Sequence, residues 1–145
     1  MRNVLITGAS KGIGAATALG FAKEKANLFI HYSSDLQGAE SVAAQSQVSG
    51  STATLIQADL GTLEGVQAFT DKIKGLKIDV LVNNAGSLIG RHKMPDMPSS
   101  HWEQTIMLNL SSVFYITQAV IPHMVAQKSG WIVNCLLYTS DAADE

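Results

Sequence analysis

The stretch Val4-Leu5-Ile6-Thr7-Gly8-Ala9-Ser10-Lys11-Gly12-Ile13-Gly14 decides the fold. A short β-branched and apolar run enters a glycine-rich turn, and a helical stretch follows to about Lys25. Strand, turn and helix in that order make a phosphate site. The helix N-terminus presents free N–H groups and the positive end of its dipole, and glycine lets the backbone approach an anion closely. The spacing is Gly-x-x-x-Gly-x-Gly, through Gly8, Gly12 and Gly14. It is neither G-x-G-x-x-G nor a P-loop, since no Gly-Lys-Ser/Thr follows, so a P-loop nucleotidase is excluded. Taken alone, the motif also fits a tight turn that holds no ligand.

Outward from this unit the chain alternates short apolar runs with helical stretches, the pattern of repeated strand–helix units and a parallel sheet. Leu28-Phe29-Ile30 is a second strand, with a helix from about Gln37 to Gln47; Asp35 before it is read as a loop residue or the N-cap of that helix. Ala53-Thr54-Leu55-Ile56 is a third, and Thr62 then caps a helix with Val66, Phe69 and Ile73 at helical spacing. Val80-Leu81-Val82 is the fourth and Ile132-Val133 the fifth. The segment Ser87–Pro98 is a loop; Met94 and Met97 in it are read as simple cover, with the shaping of a substrate mouth as the alternative. The longest helix lies between the fourth and fifth strands. Ser100 and Glu103 form a capping-box pattern at its start, Trp102, Ile106, Leu110, Val113, Thr117 and Val120 form one apolar stripe, and Pro122 sits near its end. Trp102 and Tyr115 are expected to pack, and His31 to be structural. With right-handed crossovers the expected architecture is α/β: a Rossmann-type doubly wound parallel sheet of about five strands.

Composition narrows the function classes. The chain has 145 residues, 46% hydrophobic and 15% charged, against a usual charged share of about 25%, which excludes intrinsic disorder. A formal net charge of −2 supplies no basic field for nucleic acid. The one cysteine, Cys135, excludes an intrachain disulfide, and the four histidines lack zinc-ligand spacing, so no metal site is expected. No apolar run approaches the ~20 residues of a transmembrane helix, and no secretory signal opens the chain. A cytoplasmic protein without membrane contact is the expectation.

Asn83-Asn84-Ala85-Gly86 closes the fourth strand and Asp59-Leu60 follows the third, both at the carboxyl edge where open sheets bind ligands. With the glycine turn and Asn109 on the long helix, these motifs resemble, in order and spacing, the short-chain dehydrogenase/reductase family. The resemblance runs from Met1 to about Asn134, giving residues 1–134 as an incomplete NAD(P)-binding domain. Ser87-Leu88-Ile89-Gly90-Arg91 is similar to members that are 3-oxoacyl-carrier-protein reductases or sugar dehydrogenases. The resemblance implies that Gly8, Ser10, Gly12, Ile13 and Gly14 line a pyrophosphate and ribose. It implies that Asp59, with Leu60 beside it, accepts a hydrogen bond from adenine. It implies too that Asn84, Ala85 and Gly86 flank the adenosine ribose and that Asn83 ties neighbouring strands together. The resemblance also implies that Asn109 is the helix-kinking member of the catalytic tetrad and holds a relay water; without the resemblance, Asn109 reads as a surface polar residue on an amphipathic helix. An acid at the end of the second strand would take the 2′-hydroxyl of NAD; Tyr32 stands there by family alignment, while Ser33, Ser34 and Lys11 offer donors to a 2′-phosphate, and Asp35, slightly later, is the counter-argument. NADP is therefore favoured over NAD. The function implied is carbonyl reduction or secondary-alcohol oxidation on a small molecule, in a homo-oligomeric parent protein. The competing reading is a non-catalytic dinucleotide-binding sensor or scaffold on the same fold.

The chain departs from the family pattern at its end. The family serine falls at Leu136 or Leu137, and Tyr138 is followed four residues later by Ala142 rather than lysine. Residues 135–145, from Cys135 to Glu145, resemble the read-through translation of a transposon-based sequencing-library adapter and are read as a non-native tail expected to add little to stability. On this reading the native cysteine count is zero, the substrate is not legible, and the 145-residue chain itself is inactive.

Overall fold

The computed structural model describes residues 1–135. Five strands, β1 (Asn3–Ile6), β2 (Asn27–Tyr32), β3 (Thr52–Gln57), β4 (Val80–Asn83) and β5 (Trp131–Asn134), form one sheet in the order β3-β2-β1-β4-β5. Every pairing is parallel, with Leu5 opposite Phe29 on one side and Leu81 on the other. The order runs from β1 out to β3, then crosses back to β4 and β5. The switch point therefore lies between the ends of β1 and β4, where the two motifs meet.

Alternation along the strands assigns a core to each face. Val4, Ile6, Val80 and Val82 face α1 (Gly12–Ala22) and α2 (Leu36–Val48), packing with Ala18, Ala22, Ala39 and Val42. Leu5 and Leu81 face the opposite way, against Val66, Phe69 and Ile73 of α3 (Leu63–Ile73) and Ile116, Val120 and Met124 of α5 (Ser112–Ala126). Burial on both faces explains the continuous apolar runs of β1 and β4. Thr62 caps α3 as expected, and of the two readings of Asp35 the N-cap is the one that forms. Asp35 accepts from the Gly38 N–H at 3.0 Å and Thr62 from the Gly65 N–H at 3.1 Å. The loop after β4 is broken by a short 3₁₀ turn, Met94–Asp96.

The long helix differs from the periodic reading. It is α4 (Ser99–Ile106), a π turn at Met107–Ser111, and α5. The π turn widens one turn of the helix and rotates everything beyond it relative to α4. The buried positions become Ser112, Ile116, Val120 and Met124, while Leu110 is 64% exposed and Trp102 57%. The expected single stripe, and the expected packing of Trp102 and Tyr115, are thereby corrected. Pro98 rather than Ser100 occupies the N-cap, with no side-chain cap bond. Its carbonyl accepts from the His101 and Trp102 N–H groups. Taken together, Ser99–Ala126 is one helical rod of 28 residues, long and apolar enough by length and composition to cross a membrane. Ser, Thr, Asn and Gln interrupt its apolar residues, so the rod passes on mean hydropathy and not on one continuous apolar run. The rod nonetheless packs its α5 face on the sheet.

α1 buries Gly14, Ala18 and Ala22 at intervals of four, so small side chains bring it close to the sheet. A Cβ on Gly14 would strike the Gly8 carbonyl oxygen and the Asn84 amide, whereas one on Gly20 would meet nothing within 4 Å. Gly14→Ala should therefore destabilise the chain by about 1–3 kcal/mol through overpacking, and Gly20→Ala should stabilise it by about 0.5–1 kcal/mol. Denaturant midpoints of the two variants moving in the same direction would contradict this packing.

Candidate active site

The carboxyl ends of β1, β2, β3 and β4 converge on one edge. Gly8 leaves β1 with φ +63°, and a Cβ there would lie 2.9 Å from the Ala85 Cα, so both conformation and proximity require glycine. The turn is bonded to the end of β4. The Thr7 hydroxyl accepts from the Asn84 and Ala85 N–H groups, each at 2.9 Å. The Asn84 side-chain amide donates to the Thr7 carbonyl at 3.0 Å and to the Gly8 carbonyl at 2.9 Å. Gly8, Gly14, Asn84 and Ala85 thus form one contiguous unit. Ser10, Lys11, Gly12 and Ile13 continue the turn into α1, with Lys11 at its N-cap; Lys11, Gly12 and Ile13 are exposed. No side chain caps α1, so its first N–H groups are left to other partners.

Asp59 and Leu60 follow β3. Leu60 is buried, while Asp59 is exposed and accepts from the Gly61 N–H at 2.8 Å. Ser33 follows β2 and is exposed, its carbonyl accepting from the Gln57 amide. Asp35, close by, is engaged in capping α2. The Asn83 side-chain amide donates to the Asn134 side-chain oxygen at 2.9 Å and to the Thr117 hydroxyl at 3.3 Å, joining β4, β5 and α5. Its own buried side-chain oxygen has no partner among the described residues.

Asn109 lies in the π turn. Its side-chain oxygen accepts from the Ser87 N–H at 3.1 Å, and its amide donates to the Ser87 carbonyl at 2.7 Å and the Thr105 carbonyl at 2.8 Å. It fastens the segment after Gly86 to the helical rod. Beyond it, Leu88, Arg91, His92, Met97, His101 and Trp102 line an open cavity of about 410 Å³. Met97 is at its wall, whereas Met94 is 82% exposed and apart from it. The family serine position and Tyr138 lie outside the described residues. Among the described residues no cluster of His, Cys, Asp or Glu has the makings of a metal site.

Two further residues organise this edge: Thr7, whose role no sequence pattern marks, and His31, read from the sequence as structural with its partners unassigned. Thr7 was part of the quoted motif, but its hydroxyl as receiver of two amides had no signal in spacing. His31 did carry a signal, a polar ring inside an apolar strand. It is 2% exposed and packs edge-on against Phe69, with ring centroids 4.8 Å apart. The Gly8 N–H donates to its Nδ1 at 3.0 Å, so the proton sits on Nε2, which lies 3.1 Å from the Ala58 carbonyl and donates to it.

Doubly wound α/β proteins carry their ligand at the carboxyl edge, at the point where strand order reverses, and that is where the residues above assemble. The chain belongs to the short chain dehydrogenase family, whose model matches residues 2–142. It is 40% identical over 136 residues to a 3-oxoacyl-[acyl-carrier-protein] reductase of Synechocystis sp., covering 90% of this chain and 53% of that one. A D-xylose 1-dehydrogenase of Caulobacter vibrioides is 35% identical over 135 residues, 92% of this chain and 52% of its own. Among solved structures, a short-chain dehydrogenase from Sphingobium yanoikuyae in complex with NADPH superposes with a TM-score of 0.84 at 32% identity, over 92% of this chain and 52% of that one. A metagenomic short-chain oxidoreductase in complex with NADP gives 0.85 at 29% identity, over 97% and 64%. The chain spans about half the length of the curated relatives it matches.

Burial pulls the His31 pKa from 6.5 down to about 4, against the opposing pull of the Ala58 carbonyl and the Asp59 charge. The unfolded chain therefore binds a proton that the native state excludes. The associated stability is complete above pH 6.5 and is lost as pH falls towards 4. Between pH 7.5 and pH 4.5 this amounts to about 2–3 kcal/mol. His31→Asn should flatten the acid limb of the stability profile by that amount in denaturant unfolding; parallel profiles for wild type and variant would contradict it.

Proposed function

We propose that the chain is the N-terminal portion of an NADP-dependent oxidoreductase that reduces a carbonyl, or oxidises a secondary alcohol, by hydride transfer, on the pattern of a 3-oxoacyl-carrier-protein reductase. The observation that carries the reading is the uncapped N-terminus of α1 beside a glycine turn held open at the switch point. The donor set suits a dinucleotide. A Cβ on Gly12 would meet nothing within 4 Å, so the turn leaves space above the helix start, and its amides offer hydrogen bonds to a pyrophosphate. Gly8, Ser10, Gly12, Ile13 and Gly14 would hold that group and its ribose. Asp59 would accept from the adenine amino group beside Leu60, and Asn84, Ala85 and Gly86 would border the adenosine ribose. When bound, the nicotinamide supplies the hydride, and the protein supplies position. Asn109, fixed to Ser87, would hold the π turn and the neighbouring loop in the geometry that a substrate meets.

The choice of NADP rests on charge. Tyr32 ends β2 where an NAD-type site would place an acid, and exposed Lys11 and Ser33 are available to a 2′-phosphate. The nearby Asp35 carboxylate is directed to the Gly38 N–H. Two of the solved relatives are in complex with NADPH or NADP, which supports the reading. Titrating the whole parent protein should show NADPH bound about tenfold or more tightly than NADH, since charge-assisted hydrogen bonds are each worth ~1.5–3 kcal/mol when desolvated. Lys11→Ala should narrow that preference. Equal affinities, or tighter NADH, would overturn the assignment.

The 145 residues as they stand contain no Tyr-x-x-x-Lys. Protonation of the alkoxide left by hydride transfer needs a positioned acid, a contribution of about 10²–10⁴-fold. This chain should therefore show no turnover when NADPH absorbance is followed with ketones and 3-oxoacyl thioesters. Turnover abolished by Tyr138→Phe would contradict that expectation.

A further inference from the structure

His31 joins two segments that are distant in sequence. It accepts from Gly8, 23 residues away, and donates to Ala58, 27 residues away. Gly8 opens the glycine turn; Ala58 immediately precedes Asp59. Among the described residues no hydrogen bond runs directly between Thr7–Gly14 and Ala58–Gly61. The β2 backbone touches each once, through Ala9 N–H to the His31 carbonyl and Ala58 N–H to the Tyr32 carbonyl, but only the imidazole spans both. Neutral imidazole suits this place because it carries one acceptor and one donor on a rigid ring. The edge contact with Phe69 fixes the plane of that ring.

We propose that His31 is a positioning residue that sets the spacing between the glycine turn and the Asp59–Leu60 segment, so that affinity for a whole dinucleotide depends on its two hydrogen bonds. The proposal rests on the cofactor reading above. A dinucleotide must reach both segments at once, and a site whose halves are already in register loses less on binding than one that must order them. A histidine that served packing alone would affect stability and leave affinity unchanged. His31 touches no bound group on this account; it acts through the Gly8 amide and the Ala58 carbonyl.

Three substitutions in the 145-residue chain separate the two bonds. The Asn oxygen falls near Nδ1 and keeps the Gly8 contact, the Gln amide reaches towards Nε2 and keeps the Ala58 contact, and Leu keeps neither. Hydrogen exchange at pH 7.5 should loosen residues 57–62 in His31→Asn, residues 7–14 in His31→Gln, and both in His31→Leu. NADPH, titrated by fluorescence, should bind His31→Leu about tenfold or more weakly than wild type, with the Asn and Gln variants between them. Should the Leu variant fail to fold, the Asn and Gln variants carry the same test through opposite exchange patterns. Unchanged exchange in both segments overturns the proposal. So does loosened exchange with NADPH affinity within about twofold of wild type. If wild type binds no NADPH, the cofactor reading fails and the claim about affinity falls with it, whereas the exchange pattern still decides whether His31 links the segments.

Discussion

The Thr7 hydroxyl is the contact on which the rest of the edge depends. It receives the Asn84 and Ala85 amides together at the one place where strand order reverses. Two amides bonded to one buried oxygen leave little freedom in how β4 ends, and an unpaired buried amide would cost about 1–3 kcal/mol. Asn84 answers by donating to the Thr7 and Gly8 carbonyls. The glycine turn and the Asn-Asn-Ala-Gly segment are thus a single hydrogen-bonded object rather than two neighbouring loops. Gly8 and Gly14 are glycine because this object has no room for side chains.

From that object the rest of the edge follows in layers. His31 connects it to the end of β3, and Asn109 connects the segment after Gly86 to the helical rod. Beneath it, the central strands β1 and β4 are covered on both faces, by α1 and α2 on one side and α3 and α5 on the other. Membership of the short chain dehydrogenase family accounts for this arrangement as an inherited scaffold. The chain spans about half of its curated relatives' length. Of the strands described, β5 lies at the sheet edge, with Trp131 54% and Val133 53% exposed, an apolar edge of the kind that other backbone pairs with readily.

The parts of the fold that local chemistry determines were legible in the sequence. The strand–turn–helix unit at Val4–Gly14 was one, because glycine spacing and apolar runs act within a few residues. The caps at Asp35 and Thr62 were others. The π turn at Met107–Ser111 was not legible, because periodicity assumes an uninterrupted helix, and the predicted stripe through Trp102 and Leu110 fell out of phase. The positions read as a site do gather at one edge, since strand ends in a parallel sheet must. What linked them was hidden: Thr7 and His31 act through partners more than 20 residues away, and no local pattern encodes such a pairing.

The most direct test of the account is a hydrogen-exchange footprint of the chain with and without NADPH. Protection is expected at the glycine turn at 7–14, at 59–60 and at 84–86, and nowhere else. Protection centred instead on the cavity lined by His92, Met97 and Trp102, or no protection at saturating NADPH, would contradict it.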